Sequence, residues 1–418
     1  MEASPALLAV SDAQARILET LTPLPAEPVP LHNALGRVLA QDIYAPLDLP
    51  PFSNSSMDGY AVRAADVAAA PTTLQVVADI AAGHVSEVEL AVGQAARITT
   101  GAPMPAGTDS VVPVELTDDS RSSSGARVPQ QVTIMEPVRV GAHVRLIGED
   151  VAAGECVLHA HTLVAPTIMG VLAALGLAEV PVFKKPRVAI LGTGDEVADL
   201  HEPLGPGQVR NVNAYTLSAL VSSYGGAAIN LGVARDTVAA VQEKLRAALE
   251  ADADLIVTSA GVSMGATDVV RLAMEQRGKL QFWRVNMRPG KPVAFGFYEG
   301  TPLLGLPGNP VSSIVACEVF ARPAILQLGG HASTAHPTIR VRMAEPVHSD
   351  GRETYFRARV RFDPATGNYV AHSAGGQGSH MLHTLAEANC LVIIPAGRET
   401  VAADDELEAW LLADRTTG

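Results

Sequence analysis

The spacing of apolar positions changes character several times along the chain, and each change predicts a different kind of element. In residues 5–22 (PALLAVSDAQARILETLT), Leu7, Val10, Ile17, Leu18 and Leu21 recur at roughly helical spacing, and Pro23, Pro25, Pro28 and Pro30 then stop the pattern. This predicts a helix followed by a rigid linker, with a further short helical piece near 31–40. The next run, APLDLPPFSNSSMDGYAV, is rich in Pro, Asn, Ser and Asp-Gly, the residues of ordered but irregular turns. From about 53 to 142, β-leaning runs such as TTLQVVADI, QAARITT and QVTIME alternate with Gly, Pro and Asp turns, as small antiparallel β domains do. The polar stretch TDDSRSSSGARVPQ inside that region reads as a solvated loop. Residues 165–180 return to a helical pattern before Pro181 and predict a buried helix.

Between 186 and 328 the texture is different. RVAIL, AINLGV, DLIVTS and PLLGL are short apolar runs, separated by NAYTLSALVSSYGG, TVAAVQEKLRAALE and NPVSSIVACEVFARPAILQL, which read as helices. Strands alternating with helices predict a doubly wound, mostly parallel α/β domain. After Gly329-Gly330 the runs TIRVRM, ETYFRARVRF, NYVAHSA, CLVIIPAG and DELEAWLL predict a second small all-β domain, a barrel. The fold class is therefore α/β plus all-β and multidomain. Its parts are a discontinuous N-terminal helical and linker layer (1–52 with 143–185), a small β domain (53–142), the α/β domain (186–328) and a C-terminal β-barrel domain (329–418).

The 418-residue length agrees with several domains, and 48% hydrophobic against 18% charged residues supplies packed cores. A formal net charge of −14 repels polyanions, so a general nucleic-acid binder is not expected. Cys156, Cys317 and Cys390 are odd in number and lie in neither a C-x-x-C nor any zinc-like spacing, which favours a reducing compartment. Glu2 stands where an export signal would carry positive charge, and the uncharged stretch 156–178 is interrupted by His159, His161, Pro166 and two glycines. A cytoplasmic protein with no membrane span is expected. His380 and His383 near Cys390 form only an i, i+3 pair, too little for a zinc site.

In an open α/β sheet, ligands bind beyond the carboxyl ends of the strands. Here those positions are acidic: RVAIL leads to GTGDE (Asp195, Glu196), AINLGV to ARD (Asp236), and DLIVTS to AGVSMGATD (Asp268). Glu196, Asp236 and Asp268 together could hold a hard divalent cation, for which Mg²⁺ is the natural choice. Asp236 and Asp268 each precede a helix and could equally be N-caps. The fourth strand end, LPGNPVSS, offers a helix N-terminus and Ser312 to an anion, although Asn309 and Pro310 are also ordinary helix-start residues. The basic counterparts are FWRVNMRPGKP (Arg284, Arg288, Lys291) and GRETYFRARVRF (Arg352, Arg357, Arg359, Arg361). Arg359 and Arg361 fit the solvent face of an alternating strand, and Arg357 shares their parity. Arg288 and Lys291 flank Pro-Gly, a rigid turn suited to oxyanion binding.

The segments SNSSMDGYAV, ARITTGAPMPAGTDSVV, VRLIGED, ILGTGDE, TSAGVSMGATD, MRPGKPVAFG, LGLPGNPVSS, GRETYFRARV and GGQGSHML, in this order over nearly the whole chain, resemble one family. It is the molybdopterin molybdenumtransferase (MoeA) family, related to the gephyrin E domain. The resemblance implies a homodimer that inserts molybdate into adenylylated molybdopterin with Mg²⁺ present, releasing AMP and forming molybdenum cofactor. It further implies the molybdopterin adenylyltransferase and downstream molybdoenzyme maturation proteins as partners.

The implied site adds Asp58 in MDGYA, Thr100 in TTGAP and Asp150 in GED to Glu196, Asp236 and Asp268. Arg284, Arg288, Lys291, Ser312, Arg357 and Ser379 are implied as phosphate and oxyanion contacts, with the last domain closing the pocket across the dimer. Arg284 and Arg288 stand where many relatives carry lysine, and Ala260 replaces a frequent glycine. The substrate's dithiolene sulfurs would ligate the molybdenum, so no cysteine cluster is needed. Two other readings remain: a molybdopterin adenylyltransferase, whose fold resembles 186–328 alone, and a non-catalytic gephyrin-like scaffold.

Overall fold

The computed structural model describes residues 7–119, 127–260, 269–274 and 277–412. By internal contact the chain divides into a smaller unit, residues 41–160 with 166–179, and a larger unit formed by the residues on either side of these segments.

The smaller unit is built on a five-stranded sheet in the order Ser110–Pro113, Gly59–Val62, Gln94–Ile98, Thr72–Ile80, Gln131–Ile134. All its pairings are antiparallel except that of Thr72–Ile80 with Gln94–Ile98. Alternate residues of GYAV enter opposite cores: Tyr60 and Val62 pack with Leu74, Val112 and Ile134, and Ala61 packs with Ile80, Ile98 and Val111. The sheet is thus covered on both faces. The helix expected at 165–180 is Pro166–Ala174, but only Leu172 of it is buried. Its sequence is apolar all round, so one side faces its own unit and the rest stays open.

In the larger unit, the first helix, Val10–Leu18, buries Val10, Ala13 and Ile17 in one stripe at i, i+3, i+7, while Leu7 lies exposed. The expected linker is partly a strand, since Ala26–Pro30 pairs with Glu179–Phe183, a two-stranded arrangement whose open edge tolerates proline. The helical piece expected near 31–40 reduces to one 3₁₀ turn, Leu31–Asn33, followed by Gly36 at φ +73°, a conformation that stops a helix.

The α/β sheet runs Ala227–Ala234, Arg187–Thr193, Leu255–Ser259, Thr301–Leu306, Pro292–Tyr298, Gly278–Arg284. The first four strands are parallel and the last two antiparallel. Val188 and Ile190 face a core with Leu217, Val221 and Phe320, whereas Ala189 and Leu191 face one with Val241, Leu245 and Val270. Helices on both faces explain why RVAILGT is apolar without alternation. Pro310–Leu328 is long and apolar enough to cross a membrane, and most of it is buried within the chain.

Five strands then close a barrel. Glu353–Asp363 pairs with both Asn368–Ser373 and Cys390–Ile394, and Thr338–Met343 and Glu406–Leu411 complete the ring. A short parallel pairing of Met287–Arg288 with Glu353–Thr354 joins the basic turn of the α/β domain to this barrel.

Candidate functional site

The four parallel strands end along one edge of the sheet, so the loops after them form a continuous rim. In spatial order it carries Asp236, then Asp195 and Glu196, then Ser259, then the LPGNP turn. Glu196 lies where the strand order reverses, the usual ligand crevice of such sheets. Gly194 has φ +137°, and a Cβ added there would stand 2.5–2.7 Å from the Glu196 carboxyl group, which folds directly over the turn. Asp195 and Asp236 are reciprocally bonded: each backbone N–H donates to the other's carboxylate, at 3.4 and 3.3 Å. Asp236 does not cap the helix that follows it. Thr237 does, accepting the N–H of Ala240, which leaves Asp236 to the rim. Asp268 lies outside the described residues.

The other end of the rim is organised by amides. Asn213, in the first turn of Val212–Ser223, donates to Ser259 Oγ and to the Gly308 carbonyl at 2.7 Å. Its Oδ1 is buried with no hydrogen-bond partner among the described residues. A buried acceptor left this way is costly unless a ligand or water completes it. Nothing in the spacing of RNVNAY singled Asn213 out, although an amide in the first turn of a helix that starts beside a strand end is the signal that could have. Asn309, expected as an N-cap, makes no side-chain cap bond, and its Nδ2 instead donates to Ser379 Oγ at 3.2 Å. The α/β domain and the barrel therefore meet at Ser379 within one chain.

The turn bearing Arg288 and Lys291 packs over the start of Pro310–Ala316. A Cβ on Gly290 would come within 3.5 Å of the Ser312 carbonyl oxygen, and Ser312 is itself buried. Arg284, Arg288 and Lys291 are all half-buried. The Lys291 ammonium has no hydrogen-bond or ion-pair partner among the described residues, while Arg288 Nη1 lies 3.7 Å from Asp350. Hydrogen bonding to the Arg352 side chain, helped by Arg288 nearby, holds the Asp350 carboxyl below its usual range. Arg288 lines a small hollow with His348, Thr354, Arg357 and Gln377.

Arg357 is 2% exposed, and parity did not predict this: Arg359 and Arg361, on the same side of the strand, are open to solvent. Its guanidinium donates to the carbonyls of Gly376 and Gly378 and to Gln377 Oε1, clamping the glycine-rich loop that presents Ser379. Burial draws its pKa down.

Within the smaller unit, Asp58 Oδ1 accepts both the backbone N–H of Thr100 (2.6 Å) and its hydroxyl (2.8 Å). These two bonds hold the Asp58 carboxyl below its ordinary value, and the pair stays exposed. Asp150 sits on a separate exposed turn, its backbone N–H donating to Leu49.

A parallel sheet rim carrying carboxylates, amides and a helix start, faced by half-buried Arg and Lys, defines an α/β protein equipped to hold an oxyanion ligand beside a cation. The chain belongs to the MoeA family. Residues 8–176 match "MoeA N-terminal region (domain I and II)", residues 189–327 match "Probable molybdopterin binding domain", and residues 340–412 match "MoeA C-terminal region (domain IV)". Molybdopterin molybdenumtransferase 2 of Mycobacterium tuberculosis is 42% identical over 91% of this chain and 94% of its own length. The molybdopterin molybdenumtransferase of Haemophilus influenzae is 34% identical over 96% of this chain and 97% of its own. The solved molybdopterin biosynthesis MoeA protein of Pyrococcus horikoshii superposes with a TM-score of 0.81 at 29% identity, covering 97% of this chain and 99% of that one.

Proposed function

We propose that this chain catalyses the reaction its relatives are named for, transferring molybdenum, taken up as molybdate, to molybdopterin. The observation that carries the reading is Lys291, half-buried and with no ion-pair or hydrogen-bond partner for its ammonium among the described residues, in the turn that packs against the Ser312 helix start on the same sheet rim as Glu196 and Asp236. A cation held without a partner suits an incoming oxyanion, and a helix N-terminus adds N–H donors. Arg288 supplies a second positive charge, and the loop clamped by Arg357 sets the position of the Ser379 hydroxyl. These groups would capture and orient molybdate and the substrate's phosphates while the surrounding packing limits water.

The finer reading is that the pterin arrives adenylylated and that AMP leaves on insertion. Two acidic side chains at neighbouring strand ends, Glu196 over Gly194 and Asp236 relieved of capping by Thr237, suit Mg²⁺, which takes one or two carboxylates and completes its shell with phosphate oxygens and water. Bound there, Mg²⁺ would supply charge neutralisation at the phosphoanhydride. A homodimer accompanies this reading. Its support is the apolar helix Pro166–Ala174, of which only Leu172 is buried. A cytoplasmic location also goes with it, in keeping with three cysteines that form no disulfide.

The test is AMP release from adenylylated molybdopterin on addition of molybdate and Mg²⁺. Glu196→Gln should slow release by about 10²-fold, the usual effect of removing one charge-stabilising group. Normal turnover by that variant would overturn the assignment of Glu196. A wild-type chain that dimerises yet neither binds the adenylylated pterin nor releases AMP would favour the scaffold reading.

A further inference from the structure

In the smaller unit, Ile43–Tyr44 and Cys156–Leu158 pair antiparallel, Tyr44 opposite Cys156 and Ile43 opposite Leu158. This pairing lies where the chain enters and leaves the unit. It sets Asp42, just before one strand, beside His159, just after the other. The N–H of Ala160 donates to Asp42 Oδ1 at 2.7 Å and fixes that carboxylate. His159 Nδ1 lies 3.7 Å from the same oxygen and 3.5 Å from Cys156 Sγ. The three donor atoms all lie within 4.8 Å of one another.

The S···N and N···O separations lie near the edges of a tetrahedral site. With metal–sulfur, metal–nitrogen and metal–oxygen bonds of about 2.3, 2.05 and 2.0 Å, the S···N edge is about 3.5 Å and the N···O edge about 3.3 Å. The His159 and Asp42 donors would have to close by a few tenths of an ångström to share one ion, a shift that the exposed His159 ring can supply while Ala160 holds Asp42. The donor set decides the kind of ion. A thiolate and an imidazole with one carboxylate select a borderline transition metal over Mg²⁺ or Ca²⁺, which take oxygen ligands. We propose that Asp42, Cys156 and His159 form a binding site for a divalent transition-metal ion of the Zn²⁺ type, with solvent as the fourth ligand. Placed where the two chain passages meet, the ion would cross-link strands that share only a short ladder. The site shares no residue with the sheet rim, and the proposal for it does not rest on the reaction proposed there.

The cysteines make the test specific. Cys317 and Cys390 are buried, so a thiol reagent applied to the folded, untagged full chain reads Cys156 alone. Co²⁺ should give a near-ultraviolet thiolate-to-metal charge-transfer band that saturates at one equivalent, and Zn²⁺ should displace it. At about ten times its Kd, Zn²⁺ should also slow modification of Cys156 by about tenfold, because a ligated thiolate cannot attack the reagent. Both effects should vanish in Asp42→Asn, which keeps the acceptor for Ala160, and in His159→Ala, whose exposed side chain the fold does not need. An unchanged rate with Zn²⁺, the absence of the Co²⁺ band, or protection that survives in both variants would overturn the proposal and leave an ordinary thiol and ion-pair contact.

Discussion

Ala260 holds φ +80° at the end of strand Leu255–Ser259, in a region where any side chain crowds its own backbone. Its backbone N–H donates to Leu306 and joins two strand ends of the rim. A Cβ on Gly308 would come 3.1 Å from that of Ala260, so a side chain at Gly308 would press on the Ala260 methyl group. The strain costs roughly 1–2 kcal/mol and the extra unfolded-state freedom of glycine roughly 0.5–1. Ala260→Gly should therefore stabilise the chain by about 0.5–1 kcal/mol in denaturant titrations; a loss of stability would show that the Ala260 methyl group packs usefully. Sequence had placed this residue in a glycine position without giving its backbone angle. Asp236 is the converse case: its place before a helix suited both a cap and a site acid, and only the Thr237 bond to Ala240 separated them.

Gly59 opens a strand held between two others, and a Cβ there would stand 2.0 Å from the carbonyl oxygen of Val112 on the paired strand. Backbone on both sides cannot yield as a flexible side chain would. Gly59→Ala should cost at least about 2–3 kcal/mol, the upper range for overpacking, and should also loosen the adjacent Asp58–Thr100 pair. Thermal unfolding checks the first effect, and an unchanged midpoint would mean that the strands separate without penalty. The MDGYA motif read simply as a turn because Asp-Gly is a strong turn signal. Strands and helices whose apolar period is local, such as RVAIL and TVAAVQEKL, were legible in the sequence. The edge of the α/β sheet was not, because Gly278–Arg284 and Pro292–Tyr298 pair through a turn whose local signals are only Pro-Gly and the cations Arg288 and Lys291.

His336 links the barrel to the long helix of the α/β domain. Its ring stacks on Trp410 at 4.0 Å, and Nε2 sits 3.1 Å from the Glu318 carbonyl and 3.6 Å from the Glu318 carboxylate. Burial, with Arg322 nearby, lowers its pKa from 6.5 to about 4. Because the folded value lies below the unfolded one, this contribution is fully present above pH 6.5 and is lost as the pH falls toward 4, at most about 3 kcal/mol. Melting curves between pH 7.5 and 4.5 should fall less steeply for His336→Gln than for the wild-type chain; parallel profiles would mean that His336 is not the titrating group. Taken alone, the sequence determined the order of elements, the acids that follow the parallel strands and the two basic segments, because strand and helix periodicity and turn chemistry are local properties. Folding in three dimensions decided which of those side chains are buried, that Arg357 clamps a loop while Arg359 faces solvent, that Asn309 reaches Ser379, and that Asp42 meets Cys156 and His159. Such meetings depend on strands distant in the chain closing against one another in one register, and no local pattern encodes that register.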